Sequence, residues 1–509
     1  MKLIALLDRI RHEVEGEASD RRFGHRQEAK ARWAAIARLS CSVPTGGGMR
    51  ETGSNLMDVL ASPPAMATLA FSMSESFSLP DDVSHHYVMG RHLFIAVKTP
   101  AWVVLDDQEA EVFERLQRGA TLKEARLTFE SLGLETPAAT SKLQQLIRTL
   151  LIHNLSADAP VDDQSRYARL QIHVTNRCNL RCPHCYVSSG EAFPTEMGLA
   201  EWTSLLHYMR DHFSQVNVTI SGGEPLMVPW LDDLLQVAKR ECNFDTAAIT
   251  NGLLWTRRRS SDLAPLLDYV AVSFDGATAE VHDRIRGPGT FRKTLATLHL
   301  MNEVGLRIVL NITLMRSNRT DLLENLYPMV RSLPFEVDVD LANYIPEGRG
   351  EDMPEEALSA GEFRDTLSSL VAPFLKDEWK SIPISRRLNC GYGTAFAVYA
   401  NGDVSPCLSP RFIRGNIIEM GVGRLFDSIL TEADRSAVDN LPLCRTCDMR
   451  YLCGGRCHLN HLIPLGVMRQ NDCPGSYRES FRRGLVHRFD AQQRAFANGD
   501  RREVTTGSK

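Results

Sequence analysis

The sequence predicts an α/β fold built around a partial (β/α)6 barrel. Between residues 168 and 345, six apolar runs of strand length alternate with helical stretches, which indicates a parallel sheet with right-handed crossovers. A small winged-helix-like α+β domain is predicted before the barrel. A loop-rich domain is predicted after it, because seven of the twelve cysteines lie between residues 390 and 473, where the alternation has ended.

The composition excludes several classes of protein. At 509 residues the chain is too long for one hydrophobic core, so about two to four domains are expected. Its 58 basic and 63 acidic side chains nearly balance, which indicates neither a nucleic-acid nor a membrane partner. No apolar run reaches the roughly 18 residues of a membrane span, and the apolar stretch in "MKLIALLDRIRHEVEGE" is too short for a secretory signal. We therefore expect a cytoplasmic protein, whose cysteines ligate metal more readily than they form disulfides.

The chain ahead of the barrel divides into an extension and a small domain. Residues 1–84 combine a basic helix-like stretch to about Leu39 with Gly-, Pro- and Ser-rich linker sequence, and no function is assigned to them. Residues 85–155 predict two or three strands and three helices. Capping boxes are predicted where Asp106 and Thr121 are each followed three residues later by glutamate. The third helix is predicted to have an apolar face formed by Leu143, Leu146, Ile147, Leu150 and Leu151.

Three cysteines follow the first predicted barrel strand at the spacing C-x-x-x-C-x-x-C: Cys178, Cys182 and Cys185. In such barrels the chemistry lies on the loops after the strands. A zinc site takes four ligands, usually as two pairs, so this trio is a poor zinc site. His184 is an awkward fourth ligand because it is adjacent to Cys185. An iron-sulfur cubane has four irons, so three thiolates leave one iron open for a substrate or cofactor.

The trio, followed by Tyr186, resembles the signature of the radical S-adenosylmethionine (SAM) superfamily over residues 168–345. The resemblance implies that a 4Fe-4S cluster on the trio binds the amino and carboxylate groups of SAM at its open iron. It also implies that an electron from the cluster splits the sulfonium, and that the resulting 5′-deoxyadenosyl radical removes a hydrogen atom from the substrate. An external donor such as a flavodoxin or ferredoxin would supply that electron.

Motifs at the ends of the next three strands strengthen the resemblance. They are "SGGEP" at 221–225, "TNG" at 250–252, and "SFDG" at 273–276 followed by "HDRIRG". The residues that the resemblance implies for binding SAM are His184, Gly222, Gly223, Glu224, Pro225, Asn251, Ser273 and Arg286. In similar enzymes the glycines let the backbone approach the methionine moiety, and the glutamate accepts from its ammonium group. Each motif alone has an ordinary explanation as a turn, a loop pair or a solvated charge. Asp275 is assigned either a substrate contact or a helix cap.

The seven C-terminal cysteines closely resemble the SPASM extension, predicted here at 375–480, which binds two auxiliary 4Fe-4S clusters. The resemblance implies one cluster on Cys444, Cys447, Cys453 and Cys473. It implies a second cluster on Cys390, Cys407 and Cys457. The fourth iron of the second cluster is left open or takes another ligand, because residues 391–406 contain no cysteine. Zinc is the alternative for the C-x-x-C-x5-C-x3-C run taken alone. Cys41 and Cys242 are expected to be ordinary core or surface residues, and residues 481–509 a tail that frays at its polar end.

The domain at 85–155 resembles the PqqD-like peptide recognition element of maturases that act on ribosomally made peptides. That implies a leader peptide bound as an added strand on the sheet edge, which raises the concentration of the core peptide at the barrel mouth. The first hypothesis is therefore an enzyme that cross-links or otherwise modifies a precursor peptide. The alternatives are a sulfatase-type maturase that makes formylglycine, a porphyrin side-chain modifier, and a non-catalytic iron-sulfur scaffold for a partner peptide. An ordinary winged helix with another partner is the alternative for the small domain.

Overall fold

The structure is a computed structural model that describes residues 73–159, 162–163, 167–371, 385–408, 412–456 and 473–503. The predicted N-terminal helix-like stretch, most of the linker, Cys41 and Cys457 lie outside the described residues.

The small domain contains three strands and three helices, as predicted. The strands form an antiparallel sheet in the order β1-β2-β3. The six elements are β1 Val83–Val88, β2 Arg91–Ala96, β3 Ala101–Leu105, α1 Asp107–Gln117, α2 Leu122–Ser131 and α3 Thr136–Ile152. The first strand begins two residues before the predicted boundary at residue 85.

Local capping fixes where the first two helices begin. Asp106 accepts from the amide of Glu109 at 2.8 Å, and the Glu109 carboxylate accepts from the amide of Asp106 at 3.0 Å. Thr121 and Glu124 repeat this reciprocal pair at the start of α2, so both predicted capping boxes are confirmed. The prediction for Leu151 is wrong. The other four residues of its predicted face on α3 are buried, whereas Leu151 is 36% exposed, because the packed stripe of α3 ends at Leu150.

The barrel strands coincide with the six predicted apolar runs. Each is parallel to its neighbour. The strands are β5 Tyr167–His173, β6 Gln215–Ser221, β7 Asp245–Thr250, β8 Tyr269–Ser273, β9 Ile308–Leu314 and β10 Asp338–Asn343. The helices between them are α4 Leu199–His212, α5 Leu231–Gln236, α6 Arg257–Leu263, α7 Ala279–Arg286, α8 Thr290–Glu303 and α9 Arg319–Ser332.

The sheet does not close into a full barrel within the described residues. Its order is β10-β9-β8-β7-β6-β5-β12-β13-β14, so β10 is an edge strand and the far side of β5 pairs with a strand from the C-terminal region. The added strands, which sequence analysis missed, are β12 Ala395–Val398, β13 Asp403–Ser405 and β14 Gly415–Asn416. Leu170, Ile172 and Ile220 face the buried core. Alternate residues such as Gln171 and Thr219 therefore point into the barrel.

The remaining elements are one short strand before the barrel and a set of strands and helices after it. They are β4 Asp162–Asp163, which pairs with β11 Ser385–Arg386, and the helices α10 Ala360–Val371, α11 Ile417–Met420, α12 Val422–Arg435, α13 Arg450–Cys453 and α14 Gly475–Glu503. None of the helices in the described residues combines the length and the apolar character that crossing a bilayer requires.

Residues 481–503 of the predicted tail belong to a helix, and fraying at the polar end stays a prediction because residues 504–509 lie outside the described residues. Helix α14 continues through this stretch and contacts β1 and β3 of the small domain. Leu485, Val486 and Phe489 are buried, and the ring of Phe489 lies 4.8 Å from that of His153. Three apolar residues on one side of a polar helix thus suffice to dock it, a signal too short to stand out in the sequence.

Candidate active site at the barrel mouth

The predicted cysteine trio lies on the loop after β5. Cys178, Cys182 and Cys185 all line one cavity of about 830 Å³ at the carboxyl ends of the barrel strands. The amide of Cys178 donates to the carbonyl of Gly190 at 2.9 Å, and the amide of Cys185 donates to that of Cys182 at 3.2 Å. Burial raises the pKa of the Cys178 and Cys182 thiols, and the nearby Arg286 guanidinium opposes this for Cys182.

The glycine pair after β6 brings two loops together. A Cβ on Gly222 would lie 2.5 Å from the carbonyl oxygen of Thr175, and one on Gly223 would lie 2.0 Å from that of Arg177. The Gly223 amide instead donates to Thr175 at 2.7 Å, and the Glu224 amide donates to Arg177 at 2.8 Å. These glycines therefore let the segment leading to the trio pack against the end of β6, and both also line the cavity.

Glu224 occupies a different place from the other predicted residues. Its carboxylate is fully buried and accepts from the Thr250 hydroxyl and the Asn251 amide, both at 2.8 Å. Glu224 and Pro225 are buried outside the lining of the cavity. Burial raises the pKa of Glu224 to about 7. In this structure the carboxylate ties the end of β6 to the end of β7.

Asn251 and Ser273 line the cavity beside the trio. The Asn251 side-chain amide donates to the Asn179 side-chain oxygen at 2.7 Å and lies 3.9 Å from the Cys178 sulfur. Ser273 pairs in register with Asn311 of β9, which pairs with Asp340 of β10. A row of polar side chains therefore crosses three neighbouring strands on the cavity side.

His184 and Arg286 are joined by a buried carboxylate. Asp275 lies 3.2 Å from the His184 ring and 2.7 Å from the Arg286 guanidinium, and it accepts from the Thr313 amide at 2.8 Å. The Arg286 guanidinium, followed by contact with the His184 ring, holds the pKa of Asp275 well below its ordinary value despite burial. The helix-cap interpretation of Asp275 is wrong, because Asp321 accepts from the Ala277 and Thr278 amides ahead of α7. The substrate contact stays a prediction.

The cavity lining includes polar residues that sequence analysis missed, among them Gln171, Asn311, Asp340 and Arg349. Gln171 donates to the hydroxyl of Tyr186 at 3.0 Å, next to the trio. The signal for the first three was a polar residue at every second position of an otherwise apolar parallel strand. Arg349 lies in a Gly-Arg-Gly sequence after the last strand, and only its contacts reveal it.

The donor set of the trio suits an iron-sulfur cubane better than a single metal ion. No three His, Cys, Asp or Glu side chains in the described part of the chain converge closely enough to hold one metal ion. A cubane binds its thiolates at separate corners and so spaces them more widely. The cavity has room for such a cluster together with a SAM-sized molecule, and Arg286 and Arg349 add positive charge to its wall.

A second, smaller cavity gathers four of the C-terminal cysteines: Cys444, Cys447, Cys453 and Cys473. This is the set that the SPASM resemblance groups in one cluster. The Cys447 amide donates to the Cys444 carbonyl at 2.8 Å in a tight turn, and Cys453 ends α13. The Tyr477 hydroxyl lies 3.6 Å from the Cys453 sulfur. Burial raises the pKa of the Cys447 thiol.

The other predicted trio is only partly described. Cys390 is exposed, Cys407 is half-buried beside Ser405, and Cys457 lies outside the described residues. Their common site remains a prediction. Cys242 is buried in the core against α5, as expected for an ordinary core residue.

One carboxylate joins the small domain to the four-cysteine cavity. Asp448 follows Cys447 directly and accepts from the Ser84 hydroxyl at 2.9 Å and from the His86 ring, both on β1. Arg482 of α14 lies 3.5 Å from its other oxygen. These neighbours hold the pKa of Asp448 well below its ordinary value despite burial. The peptide-binding candidate domain is thus fastened next to a predicted cluster ligand.

Comparison with known proteins agrees with the site. Residues 172–326 match the family model described as "Radical SAM superfamily". The matched range includes the trio, the glycine pair, Ser273 and Arg286. It ends before β10 and the cysteine-rich region.

Relatives extend the similarity over more of the chain. The "Antilisterial bacteriocin subtilosin biosynthesis protein AlbA" of Bacillus subtilis (strain 168) is 28% identical over 323 residues, 60% of this chain and 70% of that protein. The "Fe-coproporphyrin III synthase" of Methanosarcina barkeri (strain Fusaro / DSM 804) is 32% identical over 223 residues, 42% of this chain, and the match spans only 52% of that protein. The crystal structure of Streptococcus suis SuiB aligns over 78% of this chain and 99% of that chain, with 19% identity and a TM-score of 0.46.

Proposed function

We propose that this chain, which carries a radical SAM domain, cleaves SAM reductively and uses the 5′-deoxyadenosyl radical to modify, by cross-linking, a ribosomally made precursor peptide. The observation that carries the proposal is the shared cavity. The trio, the glycine pair, Asn251, Ser273 and Arg286 reach it from four different strand ends.

Different residues around the cavity would bind different parts of SAM. When bound, a 4Fe-4S cluster on Cys178, Cys182 and Cys185 would supply the electron that splits the sulfonium. The exposed backbone of Gly222 and Gly223 and the side chains of Asn251 and Ser273 present hydrogen-bonding groups to the amino acid and ribose portions. Arg286, held by Asp275, offers positive charge to the carboxylate. Glu224 acts indirectly, by fixing Thr250 and Asn251.

The C-terminal cysteines are assigned to auxiliary clusters. Cys444, Cys447, Cys453 and Cys473 would hold one 4Fe-4S cluster, and Cys390, Cys407 and Cys457 a second. Forming a bond between a substrate radical and a second residue releases one proton and one electron, and these clusters would accept the electron. The proposed external donor for SAM cleavage is a flavodoxin or ferredoxin, and the proposed location is the cytoplasm.

The small domain is proposed to bind the leader of the precursor. Its sheet has two edge strands in the described residues. Helix α14 contacts both of them, and Ser84 and His86 further tie the β1 side to Asp448. We therefore assign leader binding to β3, where backbone hydrogen bonds would provide affinity. A sulfatase-type maturase needs no leader-binding domain, so a domain docked beside the cluster cavity favours the peptide cross-linking enzyme.

The polarity of the barrel cavity favours a peptide over a porphyrin. Gln171, Asn311 and Asp340 offer hydrogen bonds to amide groups, whereas a porphyrin buries a wide apolar ring. AlbA is named for the biosynthesis of a bacteriocin, which supports the same class. The similarity to Fe-coproporphyrin III synthase makes porphyrin modification the second candidate.

Two anaerobic assays test the proposal. Reconstituted protein with dithionite and SAM should release 5′-deoxyadenosine, detected by liquid chromatography. A short peptide encoded beside the gene, co-expressed with the chain, should lose two hydrogens by mass spectrometry. Release without any peptide change, together with a mass change of added coproporphyrin, would favour the second candidate. If cluster-loaded protein releases no 5′-deoxyadenosine, the result favours the hypothesis of a non-catalytic iron-sulfur scaffold.

A further inference from the structure

The segment after β10 crosses the barrel mouth and binds the loop after β5. Arg349 makes three contacts there. Its amide donates to the Cys185 carbonyl at 3.1 Å, its Nε donates to the Cys182 carbonyl at 2.9 Å, and its Nη1 donates to the Ser189 carbonyl at 2.8 Å. One side chain and its own backbone therefore bond to three points around the two last cysteines of the trio.

Gly348 lets this segment lie directly on the cysteine loop. Its φ is +57°, and a Cβ there would lie 2.6 Å from the Cys185 carbonyl oxygen and 2.7 Å from the Tyr186 backbone. Only glycine fits such an approach. The close approach at Gly348 thus places the Arg349 backbone and side chain directly against the cysteine loop.

The segment that carries Arg349 is also fixed by hydrogen bonds within itself. Tyr344, which is 2% exposed, donates from its hydroxyl to the Gly350 carbonyl at 2.6 Å and lies 3.1 Å from the Met353 carbonyl. We call residues 344–350 the clasp. Because β5 and β10 are not paired with each other in the described sheet, the clasp joins the loops of the first and last barrel strands at the mouth.

Arg349 also brings charge to the site. Its side chain lines the barrel cavity together with Cys182 and Arg286. The Arg349 Nε lies 2.9 Å from the Cys182 carbonyl oxygen, so its positive charge is held beside this cysteine. A cluster held by three thiolates carries negative charge, and a fixed positive charge beside it favours the reduced form.

We propose that Arg349 is a positioning residue for the cofactor site: it fastens the cysteine loop to the last barrel strand and fixes a positive charge beside the trio. The part that concerns cofactor charge rests on the proposed function. The fastening of the loop concerns the protein alone. The two parts therefore have separate tests.

The fastening is tested by hydrogen exchange on the metal-free, full-length protein. Arg349→Gln and Arg349→Lys both lose the forked contact to two carbonyls. The amides of Cys185 and Ser188, which donate within the loop, should exchange at least about tenfold faster in both variants. Arg284→Gln is the matched control, since this exposed arginine donates to the Ser317 carbonyl away from the cavity. Wild-type exchange in both Arg349 variants, with circular dichroism unchanged, would overturn the fastening.

The charge is tested by redox titration of the SAM-responsive cluster signal in electron paramagnetic resonance. Arg349→Gln should shift its potential to a more negative value, whereas Arg349→Lys, which keeps the charge, should stay closer to wild type. Equal potentials in all three proteins would overturn this part. If wild-type protein assembles no such cluster, the proposed function fails, and the exchange experiment still decides the fastening.

Discussion

The two cysteine groups of this molecule are held in different ways. Cys178, Cys182 and Cys185 lie on a single loop at the mouth of a parallel sheet, and the loop's neighbours are the ends of adjacent strands. The four-cysteine cavity is gathered from a tight turn, the one-turn helix α13 and Cys473, which lies two residues before α14. Its support comes from β1, which is distant in sequence, and from α14, which directly follows the cysteine-rich region.

Because of this difference, substitutions should affect the two sites in different ways. The trio is built on strand ends that the core already fixes, so changes there should alter chemistry more than folding. The four-cysteine cavity depends on contacts between parts of the chain, so changes at those contacts should alter its assembly. Paired substitutions at the trio and at the four-cysteine cavity test this contrast.

The largest contrast is expected between Cys182→Ala and Cys447→Ala. Loss of Cys182 removes one of three thiolates at the SAM site, so release of 5′-deoxyadenosine should fall to the protein-free background. Cys447→Ala should keep SAM cleavage and lose one cluster, from about twelve irons to about eight. Iron analysis and chromatography on the same samples measure both effects.

Binding of zinc in the C-terminal region would contradict the prediction for Cys447→Ala. If the C-terminal region of the wild-type protein binds zinc, with about four irons in the whole chain, the assignment of auxiliary clusters is wrong. Persistent SAM cleavage by Cys182→Ala would contradict the role of the trio. Cys242→Ala, a core cysteine remote from both sites, is the control for general effects of removing a thiol.

The trio could be predicted from the sequence because its ligands and its strand are contiguous. Gly222 and Gly223 were also found, although their backbone contacts are with Thr175 and Arg177. Arg349 was not, since its partners lie about 160 residues earlier, at positions that only the folded sheet brings near. Alternation of apolar and polar residues predicts a strand. It does not identify the distant residues that contact the loop after that strand.

A second contrast concerns pH and the carboxylate behind the trio. The pKa of Glu224, about 7, lies above its ordinary value of 4.5, so the native state binds more protons than the unfolded state between these values. Glu224 alone should therefore contribute a fall of about 3 kcal/mol in the free energy of unfolding as pH rises through this window, seen as the difference between wild type and a variant without the carboxyl. Glu224→Gln should remove that fall.

Urea unfolding of metal-free protein from pH 4.5 to 8 measures the effect. Glu280→Gln, an exposed glutamate on α7, is the control and should keep the wild-type dependence. Parallel curves for wild type and Glu224→Gln would show that the buried carboxyl contributes nothing to the pH dependence.

On the other side, Asp448→Asn should loosen the four-cysteine cavity. The variant loses the charge that binds His86 and Arg482, at a cost of about 2 kcal/mol in the free energy of unfolding. Hydrogen exchange should quicken in β1 and in the turn that holds Cys447. Asp490→Asn is the matched control, because its contact with Arg91 joins the same helix to the same domain at the surface. If Asp448→Asn and Asp490→Asn have equal effects, Asp448 holds the small domain no more strongly than a surface ion pair does.

The C-terminal architecture shows why such links escape sequence analysis. The cysteine spacing predicted which four residues share a cavity, since ligand spacing within a turn and a short helix is local. The partners of Asp448 on β1 lie more than 360 residues away. Helix α14 looked like a polar tail because, among its described side chains, the buried apolar ones are Leu485, Val486 and Phe489.

The smallest effect is expected for Tyr477→Phe, which removes one hydroxyl beside Cys453. The oxygen lies 3.6 Å from the sulfur, and burial raises the pKa of this tyrosine, so the hydroxyl stays protonated and can donate to a thiolate. The free energy of unfolding should change by less than about 1 kcal/mol. The potential of one auxiliary cluster should become more negative, because a hydrogen bond to sulfur stabilises the reduced cluster. The SAM-responsive signal should stay unchanged, as should both signals in Tyr87→Phe, a tyrosine 65% exposed on β1. A shift in the SAM-responsive signal instead would mean that the two cysteine groups are not electronically separate, which would undo the contrast between them.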